Sequence, residues 1–535
     1  MPKSNLHRPG FAGPTARLHR TELKTRSLLI AGSGFVRALR RRPILVVAII
    51  AYCVLVSVSI VTLRPSNDEG MLADPALGLI TRGRLGSSIM DGPGAALSGI
   101  NQHTYYLPPL HFVLLSGCYK IFGFGLFQTR FLSAGFGLLL LAAWFAMLRA
   151  LRIQSAAWFV LALALDSGFV VACSRGRMDL ECAALGFSAI AAYLTLRERS
   201  FWTAVLASSS LIVLSGLSHP NGLFYLIDTI ALTLWLDRKR WSWRVGMLAL
   251  APCILGAAAW GAYILEDPAD FVRQFTGNVT NQDRLGFFAA PLRALYREAA
   301  LRFGFAYEFQ SMGRDPAILI RNLTSVVYLL PPIFWLVNRG FRKAAPIGPI
   351  LLVGSINFLL LTILDGNRST YYLIHLLPPM NAALAAWFSW AKARPRWRTI
   401  AIPIVIGWAL LQISVAVYRG SRNAYRNDYL AVVNFMRSHI NGNTRVVFAP
   451  QEYGFQLGFG PLLVTDGSLG FHSGRVAEMI VASEAYNDDL RYLDHFEKPL
   501  ADHIRRTMGR YCLAYNTKSA QVFLPRGEDQ PACIK

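Results

Sequence analysis

Arg40-Arg41-Arg42-Pro43-Ile44-Leu45-Val46-Val47-Ala48-Ile49-Ile50-Ala51-Tyr52-Cys53-Val54-Leu55-Val56-Ser57-Val58-Ser59-Ile60-Val61-Thr62-Leu63-Arg64-Pro65-Ser66-Asn67-Asp68-Glu69 contains an uncharged run, 43–63, fenced by arginines. A helix needs about 20 apolar residues to cross a bilayer, and this run has that length. It is too long for the apolar part of a signal peptide, and no small-residue cleavage site follows it. It reads as an uncleaved first spanning helix, preceded by a basic arm over residues 1–42.

The rest of the chain repeats the pattern. Of its 535 residues, 53% are hydrophobic and 16% charged, against roughly 25% charged in soluble domains; the mean hydropathy is +0.36. So few charges could not cover a soluble fold of this size. The formal net charge is +23, from 54 Lys+Arg and 31 Asp+Glu. On a soluble protein that excess would suggest nucleic acid. Here the basic residues lie in short clusters between apolar runs, which is the positive-inside pattern, and nucleic acid is excluded as a partner.

Twelve apolar segments read as membrane helices: 43–63, 105–122, 127–148, 155–173, 178–196, 201–217, 219–236, 244–265, 317–337, 346–364, 370–390 and 398–418. The fold class is therefore a polytopic α-helical membrane protein with 11–13 transmembrane helices. Clusters at Arg238-Lys239-Arg240, Arg339/Arg342/Lys343 and Lys392/Arg394/Arg396/Arg398 mark cytoplasmic loops. The N-terminal arm falls on that side too. Loops 64–104 and 266–316 and everything after 418 then fall outside. The count of crossings conflicts with this orientation unless one segment in 105–148 stops short. The run 105–122 is the better suspect, since Pro108-Pro109 begins it and Lys120 interrupts it. Residues 419–535 mix charged positions with short apolar runs, such as Val446-Val447-Phe448 and 461–464, and a helical run at 485–509. They read as a small extracytoplasmic α/β domain. Of the seven cysteines, Cys512 and Cys533 alone share a polar region, and an oxidising compartment would let them pair.

Five polar clusters fall on the outer face by this orientation. The first follows the opening helix: Asp68 and Glu69, then a run at 72–81 with the spacing of an interfacial amphipathic helix. The second is Asn101-Gln102-His103-Thr104-Tyr105-Tyr106-Leu107-Pro108-Pro109-Leu110-His111. The third is Cys173-Ser174-Arg175-Gly176-Arg177-Met178-Asp179-Leu180-Glu181, whose charges would be costly inside a bilayer. The fourth is Ser218-His219-Pro220-Asn221-Gly222. The fifth runs from Asp365-Gly366-Asn367-Arg368 through Tyr371-Tyr372 to His375. Taken singly, each has a structural reading as a solvated acidic pair, an aromatic belt, a self-paired loop or a polar turn. Together they supply carboxylates, arginines and histidines on one face. That inventory suits a transfer reaction with an anionic leaving group.

In order along residues 40–390, the Asp-Glu after the first helix, Ala73-Asp74-Pro75-Ala76-Leu77, Tyr105-Tyr106-Leu107-Pro108-Pro109-Leu110, Phe122-Gly123, Arg130-Phe131-Leu132-Ser133-Ala134, Arg177-Met178-Asp179, His219-Pro220-Asn221-Gly222 and Tyr371-Tyr372-Leu373 resemble the GT-C glycosyltransferases. The nearest groups are the bacterial members related to protein O-mannosyltransferases, aminoarabinose transferases and rhizobial galacturonosyltransferases. The resemblance implies a polyprenyl-phosphate sugar donor and a lipid, glycan or protein acceptor. It implies a single inverting displacement on the outer face of a bacterial inner membrane. By position, Asp68 would be the general base, Glu69 its support or an acceptor ligand, and Asp179 a wall of the same cavity. Substrate and phosphate partners would come from His103, Arg175, Arg177, His219, Arg368 and His375. No Asp-x-Asp pair like that of metal-using oligosaccharyltransferases is present, so no metal and no cofactor is expected. A transporter or flippase of a lipid-linked or anionic substrate is the alternative. A non-catalytic partner with the same fold is a third reading, which Asp68 and Glu69 disfavour.

Overall fold

The computed structural model describes residues 42–90, 99–280, 287–288, 290–302, 314–366, 368–483 and 497–526. Most of the basic arm lies outside them. Every apolar segment expected from the sequence contains a helix. They are α1 Pro43–Thr62, α3 Leu110–Phe122, α4 Leu126–Ala150, the pair α5 Ala156–Leu165 and α6 Ser167–Ser174, α7 Met178–Leu196, α8 Phe201–Ser218, α9 Gly222–Asp237, α10 Trp243–Ile264, α13 Arg314–Val337, α15 Gly348–Leu364, α16 Leu377–Lys392 and α17 Pro395–Arg422. Between them lie α2 Asn67–Thr81, α11 Pro268–Thr280, α12 Pro291–Arg297 and α14 Arg339–Ala344. Helices dominate because hydrocarbon offers no water to an open backbone, and a helix satisfies its own amides.

Among the described residues, six helices are long and apolar enough to cross a membrane, and the bent pair α5–α6 makes a seventh. That pair turns through 67° at Asp166, whose side chain accepts from the Phe169 N–H and so starts the second half. Helix α3, the suspect of the sequence reading, has 13 residues. At about 20 Å long it is shorter than the roughly 30 Å hydrocarbon core. The exposed faces are apolar where lipid would be. On α1, Val47, Ile50, Val54, Val58 and Val61 point outward, and on α17 so do Ile406, Leu410, Ile413 and Val417. The opposite faces pack a continuous core around Tyr52, Trp144, Phe159, Phe187 and Tyr225. Trp235, Trp241 and Trp243 are exposed beside the 238–244 basic cluster, as expected of a membrane-interface belt.

The boundary expected at 418 falls inside α17, which runs to Arg422 and ends at Asn423, in the left-handed region at φ 40°. Beyond it, α18 Leu430–His439 leads into a sheet of order β2-β1-β3-β5-β4. Its strands are β1 Val447–Phe448, β2 Leu463–Val464, β3 Met479–Ser483, β4 Tyr511–Asn516 and β5 Ala520–Pro525. The first three are parallel and the last two antiparallel. Alternation sorts the side chains: Val447, Met479 and Val522 pack under α18, while Phe448, Ile480 and Tyr511 face α19 Lys498–Met508. The first part of the helical run expected at 485–509 lies outside the described residues. The C-terminal unit is thus a three-layer α/β arrangement.

Cys512, on β4, is disulfide-bonded, and its expected partner Cys533 lies outside the described residues. Cys53, Cys118, Cys173, Cys182 and Cys253 are free. With Cys533 as the partner, thiol titration of the unreduced protein in denaturant should give five reactive sulfurs of the seven. A count of seven would mean that Cys512 is reduced.

Candidate functional site

The site is assembled where α1 ends. Ser66 caps α2: its hydroxyl accepts from the Glu69 N–H, and the Glu69 carboxylate reaches back to the Ser66 N–H at 2.8 Å. This capping box turns Glu69 inward. There it meets Arg130 of α4 side-on, with Nε–Oε1 at 2.8 Å and Nη2–Oε2 at 3.1 Å, and neither side chain has any exposure. Arg130 also donates to the carbonyls of Ile60 and Leu63 at 2.6 and 2.9 Å. It thereby satisfies acceptors that the end of α1 leaves open. Glu69 Oε1 accepts a further bond from the Gly176 N–H at 3.1 Å. Burial alone would raise the Glu69 pKa, but the Arg130 charge and its hydrogen bonds outweigh burial and hold it below the usual glutamate value.

Fixing Gly176 fixes its neighbours. Gly176 itself lies against Thr129, where a side chain would not fit. Arg177 then projects between two acids: Nη1 pairs with Asp68, and Nε donates to Asp179 Oδ2 at 2.8 Å. Its guanidinium lies 3.7 Å from the centroid of the Tyr371 ring, a favourable cation–π distance. Arg175 donates to the same tyrosine's hydroxyl at 3.1 Å. On the far side of Asp179, His219 Nε2 stands 3.8 Å from Oδ1. His219 Nδ1 accepts from the Asn221 N–H at 3.1 Å, so the ring proton sits on Nε2 and faces Asp179.

Asp68, Arg177, His219 and Tyr371 border a cavity of about 470 Å³, whereas Asp179, expected in its wall, is buried behind them. Asp68, Arg177, His219, Asn221, Tyr371 and Tyr372 form its polar side. Met71, Leu72, Leu107, Leu223, Phe224 and Phe275 form its apolar side. The Asp68 side chain is 41% exposed, whereas its neighbour Glu69 is wholly buried. Successive helical residues point about 100° apart, which separates the two acids into a cavity group and a core group.

The structure therefore divides the residues singled out in the sequence. Asp68, Asp179, Arg177 and His219 converge, with Arg175 at their edge through Tyr371. Glu69 does not reach the cavity, because Arg130 holds it in the core. Arg368 is turned away. In the left-handed region at φ 54°, it donates to the carbonyls of Leu361, Thr362 and Asp365 and pairs with Glu298 at 3.2 Å. His375 is fully buried behind the site, with Nδ1 2.7 Å from the Tyr225 hydroxyl and Nε2 3.3 Å from the Asn221 amide. His103 lies elsewhere, against Glu266 at 3.3 Å and stacked on Tyr105. Among the described residues, His103, Asp267 and Asp270 are the one group whose metal-ligating atoms approach within 4.8 Å of one another. Arg273 already pairs with Asp270, and Asp267 already accepts from the Asp270 N–H. Sequence reasoning assigned no role to Arg130 or Arg302. Arg302 is fully buried between Glu298 and Asp365, the latter at 2.9 Å. An arginine inside or beside an apolar run was the available signal for both.

No protein-family model and no curated protein matches the chain. Solved structures do. The aminoarabinose transferase ArnT from Cupriavidus metallidurans, crystallised with undecaprenyl phosphate, superposes with a TM-score of 0.55 at 15% identity, over 89% of this chain and 97% of that one. Its apo form gives 0.54 over 92% and 98%. The chain has the GT-C fold. The Archaeoglobus fulgidus oligosaccharyltransferase with zinc and sulfate gives 0.52 at 14% identity, over 89% of this chain and 73% of that one.

Glu69→Gln or Arg130→Met should destabilise the protein by about 3–5 kcal/mol, as when one partner of a buried ion pair is removed. The effect should appear as a lowered unfolding midpoint in detergent. The sign with pH follows from the depressed Glu69 pKa. The pair's contribution is full above the ordinary glutamate value and is lost as pH falls through the lowered one. Glu69→Gln should therefore narrow its gap to wild type in acid; a gap that is constant with pH would count against this account.

Proposed function

We propose that this chain is a glycosyltransferase that moves a sugar from a polyprenyl-phosphate donor to an acceptor hydroxyl at the extracytoplasmic membrane face, with inversion. One observation carries the reading: in a GT-C fold, the half-exposed carboxylate of Asp68 borders a part-apolar cavity and is held beside Arg177, Asp179 and His219.

In this mechanism the acceptor hydroxyl enters from the Asp68 side. Asp68 takes its proton as the acceptor oxygen bonds to the anomeric carbon. The bond from that carbon to the phosphate oxygen breaks on the opposite face, and the lipid phosphate leaves with the electron pair. Arg177 is the donor nearest to receive that charge, through the N–H groups that Asp68 and Asp179 leave open. Asp179 orients Arg177 and the His219 ring. It accepts from Arg177 and faces His219, as a carboxylate does when it fixes an imidazole's direction. The apolar side, with Met71, Leu107, Leu223 and Phe275, suits the first isoprene units. Glu69, expected from the resemblance to support the base or bind the acceptor, acts here through position alone. Tyr371 restricts Arg177 by covering its guanidinium.

The test uses the purified protein in nanodiscs, a panel of undecaprenyl-phosphate hexoses and pentoses, and envelope extract as acceptor source, with release of undecaprenyl phosphate as the readout. Asp68→Asn should lower turnover by about 10²–10⁴-fold, the usual worth of a general base, with an unchanged unfolding midpoint. Wild-type turnover by that variant would remove Asp68 from the mechanism. Arg177→Ala should raise the donor concentration needed for half-maximal rate and also lower turnover. A variant altered in neither would show that the phosphate binds elsewhere.

A further inference from the structure

The α/β unit contains a second cleft, of about 300 Å³, which the transfer mechanism does not use. Its position follows from the order of the strands. The chain passes from β1 to β2 on one side, then crosses to β3 on the other. In open sheets with that reversal, a crevice opens at the carboxyl ends of the parallel strands, where the two connections leave in opposite directions. The cleft lies there. Ala449, Pro450 and Gln451 follow β1, Thr465, Asp466 and Gly467 follow β2, and Ser483 ends β3. Phe448, Leu469, Ile480 and Ile504 form its apolar wall.

The chemistry of the lining is one-sided. Among the described residues, no lysine, arginine or histidine borders the cleft, in a chain that carries 54 Lys+Arg. A phosphate or carboxylate ligand would find no counter-charge among them. Asp466 is committed to its own loop, accepting from the Ser468 and Gly470 N–H groups and from Ser473 Oγ. The remaining polar groups are amides and hydroxyls, on Asn67, Gln451, Thr465 and Ser483. Gln451 is almost fully buried, and its Oε1 has no hydrogen-bond partner among the described residues. Such an acceptor costs stability until a donor reaches it. Neutral amides and hydroxyls beside an apolar wall suit a ligand that is ringed with O–H groups and has apolar C–H faces.

The cleft is also wired to the membrane site. The Gln451 N–H donates to Asn67 Oδ1 at 2.9 Å, and Asn67 immediately precedes Asp68 at the start of α2. Gly70, one turn on, lies so close to the Gln451 carbonyl that no side chain would fit. A ligand held against Gln451 therefore touches the segment that carries the proposed base.

We propose that this cleft binds an uncharged saccharide unit, and that the saccharide belongs to the acceptor. The second half of the proposal rests on the transferase reading; the first does not. Saturation-transfer NMR on the full-length protein in nanodiscs tests it, with galactose, mannose, N-acetylglucosamine and its disaccharide as probes and inorganic phosphate as competitor. At least one sugar should receive saturation and should not be displaced by phosphate. Gln451→Met should weaken its binding about tenfold, the scale of one lost hydrogen bond to a buried group. Ser483→Phe, at an exposed strand end, should block the cleft while leaving the unfolding midpoint and undecaprenyl-phosphate binding at wild-type values. The inference is overturned if no sugar binds, if binding survives both substitutions, or if phosphate displaces the sugar. Sugar binding as expected, in a protein with no turnover on any donor, would sink the transferase reading and leave the cleft standing.

Discussion

The buried pair of Glu69 and Arg130 is the constraint on which the site depends. A carboxylate and a guanidinium without exposure are costly to bury unless every polar atom finds a partner. Here the partners come from separate parts of the chain: the carbonyls ending α1, the cap of α2 and the backbone of Gly176. Meeting that demand sets α1, α2, α4 and the turn before α7 in one relative position. Asp68 and Arg177 are each one residue from a member of this network. Their geometry is inherited from the core rather than made at the cavity.

The same logic recurs on the other side of the cavity. Arg302 and Arg368 meet Glu298 and Asp365 in a second buried group, which holds the turn before Thr370–His375. That turn carries Tyr371 to the face of Arg177. Two charge clusters thus flank a cavity whose exposed groups are few, and α2 and α11 cover it. Rigid supports around a small set of exposed reactive groups are what preorganisation requires.

The membrane helices were legible in the sequence because hydrocarbon imposes length and composition on each span separately. The 43–63 run needs no knowledge of its neighbours to be read, and the shortness of 105–122 could be read from Pro108-Pro109 and Lys120. Orientation assigned five polar clusters to one face but did not say which of their side chains would meet. The roles of individual charges were not. Asp68 and Glu69 are adjacent and chemically alike, and only the placement of Arg130 assigns one to the core. Arg368 looks like a phosphate ligand until the carbonyls around it are known, and His103 belongs to a loop whose fold is set by its contacts with 263–274. Local pattern reports what a segment must avoid. The partner that satisfies a charge is decided by residues far away in the chain.

One contact has a consequence for biogenesis. Asn67 is bonded to Gln451 across a separation of 384 residues, and Arg64 reaches Glu452 and Ser519 from the same segment. These partners of α2 are synthesised several hundred residues after it. Contacts of such long range form late, after the intervening helices have entered the bilayer. A chain cut before residue 451 would keep the Glu69–Arg130 anchor of α2 but lose the partners of Asn67 and Arg64, so the α/β unit acts as a second tether on the helix that carries Asp68.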